Sequence, residues 1–244
     1  MSKAMLIDQT KCIGCSACTV ACKNIYDHTP FGVLRTSMQK YEQGSYPNTS
    51  FRFRKVMCMH CQNGAPCIDP CPVDAISYKD GEDGGIVLID DDACVGCGLC
   101  VRVCPFGAPK MDDDRRKADK CTFCEDQLVP GEPPYCSDAC PVGAITFGEQ
   151  EAVIAAGEAR VSQLKNAGRN QASLYGTEDA IVYYVLDAPA TIYDLPKEGY
   201  TLASLGWKTI TSPVGSLVAL AAMGSMGLTR LRNRMEEVEK EENK

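Results

Sequence analysis

Sixteen cysteines dominate the chemistry that this sequence of 244 residues can perform, and all of them lie between Cys12 and Cys140. They form four groups of four, and three of the groups are followed directly by proline. The groups are Cys12, Cys15, Cys18 and Cys22; Cys58, Cys61, Cys67 and Cys71; Cys94, Cys97, Cys100 and Cys104; and Cys121, Cys124, Cys136 and Cys140. Cysteine thiolates grouped in this way are typical ligands of iron-sulfur clusters.

The spacing within the groups indicates 4Fe-4S clusters. The first and third groups have the C-x2-C-x2-C-x3-C spacing of two-cluster ferredoxins, and the second and fourth keep its first and last intervals around a longer middle gap. A gap of two residues turns three sulfurs toward one cubane, and Gly14 and Gly96 permit a close backbone approach. The fourth cysteine of such a group binds the neighbouring cluster. These groups therefore work in pairs, and no cysteine is left over.

Two other uses of many cysteines fit the pattern less well. A disulfide framework is typical of short secreted chains, whereas this longer chain repeats C-x2-C-x2-C, which brings thiols together as metal ligands. A four-cysteine zinc site uses pairs of C-x2-C, so a third close cysteine is one more than it needs. The sequence therefore predicts four 4Fe-4S clusters with all sixteen cysteines as ligands.

A repeated order of strand, cysteine loop and short helix positions these ligands within residues 1–148. The segments AMLID and IVLID predict strands before the first and third groups, and LCVRVC predicts a helix within the third. DAISYKD and GAITFGE predict the strands that close each half. The apolar spacing of residues 149–167 predicts a surface helix, and AIVYYVLD at 180–187 predicts an edge strand or an extended interface segment. The predicted fold class is α+β.

Net charge and the first residues restrict the partners and the location. The formal charge of −7 argues against nucleic acid as a partner. The chain runs from Met1 directly into AMLID without a positively charged, apolar, cleavable stretch. We therefore expect no export signal of its own, either secretory or twin-arginine.

Residues 209–229 contain no charged side chain and are followed at once by Arg230, Arg232 and Arg234. A helix of this length measures roughly 30 Å, the thickness of a bilayer core. Its many small residues suit close packing between transmembrane helices, and we predict a single span followed by a charged cytoplasmic tail at 230–244. This orientation puts the cysteine region on the outer, periplasmic face of the membrane, so the chain would be exported together with a partner. A location on the cytoplasmic face is the alternative. A buried soluble helix that docks on a partner is the alternative to the span.

The four cysteine groups in this order, the longer second and fourth groups and the C-terminal extension resemble the iron-sulfur electron-transfer subunits of molybdenum or tungsten bis-pterin oxidoreductases. The resemblance covers residues 1 to about 200. The helix after the fourth group, the YYV strand and the late uncharged stretch are most similar to the beta subunit of membrane-bound formate dehydrogenase.

This resemblance implies an architecture and partners. The first and fourth groups would form one ferredoxin-like dicluster half, into which a half built from the second and third groups is inserted, with the clusters in a line. Residues 149–208 would be a partner-binding extension. The implied partners are a large pterin-containing catalytic subunit and a membrane haem or quinone subunit, in anaerobic respiration.

The resemblance also implies which cysteines share a cluster, and we name these four predicted ligand sets A to D. Set A is Cys12, Cys15, Cys18 and Cys140; set B is Cys22, Cys121, Cys124 and Cys136; set C is Cys58, Cys61, Cys67 and Cys104; set D is Cys71, Cys94, Cys97 and Cys100. All sixteen ligands are present, so no cluster is expected in a three-iron form.

The function expected from this organisation is non-catalytic electron transfer, because nothing in the chain suggests a substrate pocket, a nucleophile or an acid-base pair. A free soluble polyferredoxin is the alternative, although a free carrier has no use for a cysteine-free extension. The sequence does not identify the substrate of the catalytic partner. Formate is favoured, and polysulfide, dimethyl sulfoxide and arsenate are the alternatives.

A few charged or polar residues beside the cysteines are candidates for adjusting cluster potentials. Three cations lie beside or within the cysteine groups: Lys11, Lys120 and Arg102. Each either raises the potential of a nearby cluster or is an ordinary exposed cation. His60 lies between Cys58 and Cys61 and either donates to a cluster sulfur, contacts a partner or is a passive loop residue.

Overall fold

A four-stranded sheet joins the two ends of the cysteine region in the computed structural model. The structure describes residues 3–26, 33–62, 64–79, 85–128, 131–176 and 180–196. Within these ranges the strands are β1 (Lys3–Asp8), β2 (Ser37–Gln43), β3 (Ser50–Val56), β4 (Ile76–Tyr78), β5 (Val87–Ile89), β6 (Lys110–Asp112), β7 (Lys117–Asp119), β8 (Ile145–Glu149), β9 (Ser173–Tyr175) and β10 (Val182–Leu186). The helices are α1 (Ala17–Tyr26), α2 (Leu99–Val103), α3 (Glu125–Leu128), α4 (Tyr135–Asp138) and α5 (Gln150–Asn166), with a 3-10 helix at Ala190–Tyr193.

The main sheet has the strand order β8-β1-β10-β9. β1 pairs antiparallel with β8, where Ile7 faces Ile145, and parallel with β10, where Leu6 faces Tyr183. β1 precedes the first cysteine group and β8 follows the fourth, so this sheet brings those two groups to the same region. The strands predicted from AMLID and GAITFGE are confirmed.

The prediction of an edge strand or an extended interface segment at residues 180–187 is wrong. β10 lies between β1 and β9, and each of its five residues is buried. Its sequence VYYVL is a continuous apolar run without polar alternation, which is typical of a strand covered on both faces. This part of residues 149–208 therefore belongs to the core of the cysteine domain, and a role of the extension in partner binding stays a prediction.

Helix α5 packs on this sheet and helps to hold the loop of the first cysteine group. Its buried residues Val153, Gly157, Val161 and Leu164 recur at helical spacing on one face. On its polar side, the Arg160 guanidinium forms a 2.8 Å ion pair with Asp8 and donates to the hydroxyl of Thr10. Asp8 in turn accepts a 2.9 Å hydrogen bond from the Thr10 amide. The helix predicted at 149–167 is confirmed, and its contacts order the chain just before Cys12.

A smaller two-stranded sheet serves the second and third cysteine groups. β4 follows the second group and pairs antiparallel with β5, which precedes the third. An equivalent backbone hydrogen bond lies at the end of each sheet. The Asp8 amide donates to the Ala144 carbonyl oxygen, and the Asp90 amide donates to the Ala75 carbonyl oxygen, each at 2.7 Å. The repeat predicted from the sequence is therefore present as a repeated local structure.

The β2–β3 hairpin has no counterpart among the sequence predictions. Its seven residue pairs run from Ser37 opposite Val56 to Gln43 opposite Ser50. At the end of β3 the residues Arg54, Lys55 and Val56 are all buried, so this strand runs from the surface into the interior. Because Arg54 and Lys55 occupy buried positions, the sequence of β3 lacks the apolar periodicity that would predict a strand.

The C-terminal predictions concern residues outside the part of the chain described by the structure. The span predicted at 209–229 and the tail at 230–244 both lie beyond residue 196. Among the described residues, no helix is long and apolar enough to cross a membrane.

Candidate iron-sulfur centres

All sixteen cysteines lie in the described part of the chain, and all are free thiols. No two of these cysteines form a disulfide in the structure, which argues against a disulfide framework. Most of the thiols are buried or half-buried, and the two exposed ones are Cys15 and Cys97.

Two cavities are each lined by four cysteines. One cavity is lined by all four members of set D, Cys71, Cys94, Cys97 and Cys100. A second is lined by all four members of set C, Cys58, Cys61, Cys67 and Cys104. Three cysteines of each set come from one sequence group and the fourth from the other group of the pair. The walls are otherwise mainly apolar, with Ile76 and Ile89 in the first cavity and Val87 and Phe106 in the second.

The members of sets A and B also lie close to one another. Burial raises the pKa of the Cys12 thiol, and its neighbours Cys18, Cys140 and Cys15 add to this effect by charge repulsion. Cys140, which is distant in sequence, is thus a near neighbour of Cys12 in space.

Set B shows the same grouping around Cys22. Burial raises the pKa of Cys22 to about 12, with smaller contributions in the same direction from Cys136 and Cys124. Cys121 interacts electrostatically with Cys136 and with Cys22. Cys22 therefore lies beside cysteines of the fourth group.

Electrostatic interactions between cysteines of different sets indicate which sets are adjacent. Cys18 of set A neighbours Cys136 of set B. Cys121 of set B neighbours Cys58 of set C, and Cys67 of set C neighbours Cys100 of set D. The sets therefore follow one another in the order A, B, C, D, and the exposed cysteines Cys15 and Cys97 belong to the first and last sets.

Backbone amides are directed at several of these sulfurs. The last cysteine of three groups accepts a hydrogen bond from the alanine four residues later, at 3.3 Å for Ala75 to Cys71, 3.5 Å for Ala108 to Cys104 and 3.3 Å for Ala144 to Cys140. N–H donors stabilise thiolate charge and are one means of raising the potential of a bound cluster.

The residue two positions after the first cysteine of each group has a positive φ. It is Gly14 in the first group, His60 in the second, Gly96 in the third and Phe123 in the fourth. At Gly96 a Cβ atom would lie 1.9 Å from the Arg116 carbonyl oxygen, so only glycine fits. His60 and Phe123 adopt this conformation at a cost of roughly 1–2 kcal/mol each, and their amides donate to the sulfurs of Cys58 and Cys121.

One ring nitrogen of His60 has no hydrogen-bond partner among the described residues. The side chain is fully buried, and its ring packs edge to face on Phe123 with the ring centroids 5.2 Å apart. Burial lowers the pKa of His60 well below its ordinary value, so the ring is neutral. Nδ1 accepts a 3.1 Å hydrogen bond from the Val87 amide, and Nε2 therefore carries the proton. No described side chain or backbone group accepts this proton. Its burial excludes contact with a partner and favours donation to a cluster sulfur.

The candidate cations divide into exposed and buried ones. Lys11 and Arg102 are exposed. Lys120 is buried, and its ammonium donates to the carbonyl oxygens of Val87 and Cys121. Lys55 is also buried, and sequence reasoning missed it because it lies outside the cysteine groups in an unpredicted strand.

The donor sets fit 4Fe-4S clusters. Each set offers four thiols, which as thiolates are the usual ligands of a cubane, and amide donors are directed at their sulfurs. Uncompensated burial of so many thiolates is unfavourable, and iron supplies the positive charge that offsets it. Within the described ranges, no three His, Cys, Asp or Glu side chains converge on the position of one metal ion. A cubane needs a different arrangement, because each of its four irons takes one cysteine sulfur.

Comparison with known protein families gives two matches. Models of the 4Fe-4S dicluster domain match residues 11–75 and residues 49–150. Together they include every cysteine of the chain.

The chain is also similar to several bacterial redox subunits. It is 42% identical to the thiosulfate reductase electron transfer subunit of Salmonella typhi, over 70% of this chain and 90% of that one. It is 35% identical to the formate dehydrogenase iron-sulfur subunit of Haemophilus influenzae, over 93% of this chain and 78% of that one. A tetrathionate reductase subunit of Salmonella typhimurium is 41% identical, over 60% of this chain and 57% of its own length.

Proposed function

This chain belongs to the iron-sulfur electron-transfer subunits of molybdenum or tungsten bis-pterin oxidoreductases, and we propose that it relays electrons between a catalytic subunit and a membrane haem or quinone subunit. It is a non-catalytic subunit with four 4Fe-4S clusters and a catalytic partner. A 4Fe-4S cluster, when bound, takes up and releases one electron. The chain's own residues hold, order and shield these centres.

The observation that carries the proposal is the order of the cysteine sets, with an exposed cysteine at each end. Near Cys15, the apolar side chains of Ile13 and Val20 are 57% and 55% exposed. Near Cys97, Val95 is 62% exposed. Exposed apolar side chains around otherwise enclosed centres are typical of docking surfaces. We assign one electron-transfer partner to each end of the row.

The proposed domain organisation is two ferredoxin-like halves, one inserted in the other. The pairing of β1 with β8 across the first and fourth groups supports the outer half, 1–148, and the pairing of β4 with β5 supports the inserted half. The proposed cluster ligands are sets A to D. The cavities lined by sets C and D support two of these assignments, and the close thiols of sets A and B support the other two.

For the catalytic partner we favour a formate dehydrogenase. The formate dehydrogenase subunit matches 93% of this chain, and so includes part of its C-terminal segment, whereas the thiosulfate reductase subunit matches 70%. A reductase of thiosulfate, tetrathionate, polysulfide, dimethyl sulfoxide or arsenate is the second candidate, and the 42% identity to the thiosulfate reductase subunit supports it. Both candidates imply anaerobic respiration.

We also propose that residues 209–229 span the membrane, with the cluster domain on the periplasmic face. The uncharged length of this stretch and the arginines Arg230, Arg232 and Arg234 after it support this orientation.

The metal content tests the proposed cofactor and function together. The complex purified anaerobically through a tag on this chain is expected to contain about sixteen iron and sixteen acid-labile sulfide in this subunit, without zinc. A large pterin-containing subunit is expected to co-purify. Elemental analysis, labile-sulfide assay and mass spectrometry of the purified material measure these outcomes.

Two results would contradict this expectation. About eight iron per chain, or zinc in whole-number amounts, would remove the assignment of four clusters. Full iron content in a chain that purifies alone from its native cell would favour the free polyferredoxin.

Truncation tests the membrane segment. A chain ending at Lys208 lacks residues 209–244 and is expected to appear with its catalytic partner in the soluble fraction, since the span is lost. The distribution of the two subunits after ultracentrifugation measures this. A chain ending at Thr229 keeps the stretch and is the control for loss of the charged tail. Full-length complex that is already soluble without detergent would overturn the span.

A further inference from the structure

Lys55 is a buried cation without an acidic partner in the described part of the chain. It lies in β3 and is 2% exposed. Its ammonium nitrogen lies 2.8 Å from the sulfur of Met57, a weak acceptor, and none of the described carboxylates forms an ion pair with it. Burying an ammonium group costs several kcal/mol unless a negative charge lies nearby.

Cysteines of two sets lie in the neighbourhood of Lys55. The strand pairing puts Lys55 opposite Met38, and the sulfur of Met38 is 3.8 Å from the sulfur of Cys18 in set A. Lys55 also interacts electrostatically with Cys18 of set A and with Cys136 and Cys121 of set B. Its position is therefore between the first two sets.

The two buried lysines differ in their hydrogen-bond partners. The Lys120 ammonium donates to two backbone carbonyl oxygens. Lys55 has no such oxygen partner among the described residues.

Neighbouring groups hold Lys55 in this place. The Tyr184 hydroxyl, itself buried in β10, donates a 2.8 Å hydrogen bond to the Lys55 carbonyl oxygen. The central sheet thus fixes the backbone from which the side chain extends. An exposed lysine would lose most of its influence to solvent screening, whereas a buried one keeps it.

We propose that Lys55 raises the reduction potentials of the clusters held by sets A and B, through a fixed positive charge buried between them. The inference rests on the proposed electron-transfer function. Reduction adds one negative charge to a cluster that its thiolates already make negative, so a nearby cation stabilises the reduced form more than the oxidised form. Two clusters at one end of the row are affected, and those of sets C and D are not.

Lys55→Met tests the proposal in the whole complex. Methionine keeps an unbranched side chain and removes the charge. We expect two of the four cluster couples to bind their electron at least tenfold more weakly, which is about 59 mV for a one-electron couple. The other two couples keep their potentials. Anaerobic redox titration followed by EPR measures all four, and iron analysis confirms that each variant holds its clusters.

Matched variants separate charge from packing. Lys55→Arg keeps the charge and is expected to retain the wild-type potentials, and Lys55→Gln repeats the neutral case with a polar side chain. Lys11→Met removes an exposed cation beside Cys12 and is expected to shift the potentials much less.

Each other outcome overturns the inference. Unchanged potentials in a fully loaded neutral variant would exclude a role of the charge, and equal shifts in the arginine variant would indicate packing instead. Loss of iron in both neutral variants, with full iron in the arginine variant, would mean that the charge holds the clusters in place and does not set their potentials. A wild-type complex without four clusters would instead overturn the proposed function.

Discussion

Removal of set D is expected to reduce quinone-linked turnover of the complex to the level of a complex that lacks this subunit. The variant Cys97→Ala with Cys100→Ala deletes two of the four proposed ligands, so that neither a four-iron nor a three-iron cluster remains. Because the sets follow one another in a single order, an electron that crosses the subunit must pass the position of set D. One missing centre therefore interrupts the whole path.

Two assays on the same preparation distinguish a broken path from a damaged enzyme. Artificial dyes that reach the catalytic subunit directly are expected to be reduced at the wild-type rate, while quinone reduction is lost. Asp92→Ala is the matched control, because it truncates an exposed side chain two residues before Cys94 and leaves every thiol in place. Quinone reduction that persists in the double variant would show that electrons bypass set D. Turnover of substrate by this subunit alone would contradict its non-catalytic assignment.

The second large expected effect is the loss of one particular cluster, because the last cysteine of each sequence group is assigned to the cluster of another group. Cys18 and Cys22 lie one turn apart on α1 and are both buried, yet they are assigned to different sets. Cys22→Ala with Cys136→Ala removes two ligands of set B and is expected to cost one cluster, which leaves about twelve iron per chain. Cys22→Ala with Cys18→Ala removes one ligand from each of two sets and is expected to perturb two clusters.

Iron analysis and EPR of these double variants give the outcome. We expect one altered EPR signal in the variant that lacks Cys22 and Cys136. We expect two altered EPR signals in the variant that lacks Cys22 and Cys18. The reverse result would mean that Cys22 binds the same cluster as Cys18, and that the first group holds one cluster by itself. The single variant Val20→Ala, at an exposed position of the same helix, controls for the effect of an alanine substitution in α1 that leaves every thiol in place.

Several local features could be predicted because they depend on residues close together in sequence. Strands β1, β4, β5 and β8 and helices α2 and α5 lie where their apolar patterns indicated. The role of Gly96 is also local, since the residue two positions after the first cysteine must adopt a positive φ in the loop. By contrast, the pattern of residues 180–187 indicates an edge strand or an extended interface segment, whereas β10 lies between β1 and β9. Its position depends on a partner strand, β1, about 175 residues away in sequence.

The number and spacing of the cysteines are sufficient to predict the cofactor of this protein, because cluster loops are short and their geometry depends on local spacing. The relative placement of the cysteine groups and the surroundings of single polar groups depend instead on the tertiary structure. Lys55 and His60 look like ordinary polar residues in the sequence, and their burial results from strands and loops that meet from distant parts of the chain. Electrostatic influence depends on distance in space and on exclusion of water, neither of which is encoded by spacing along the chain.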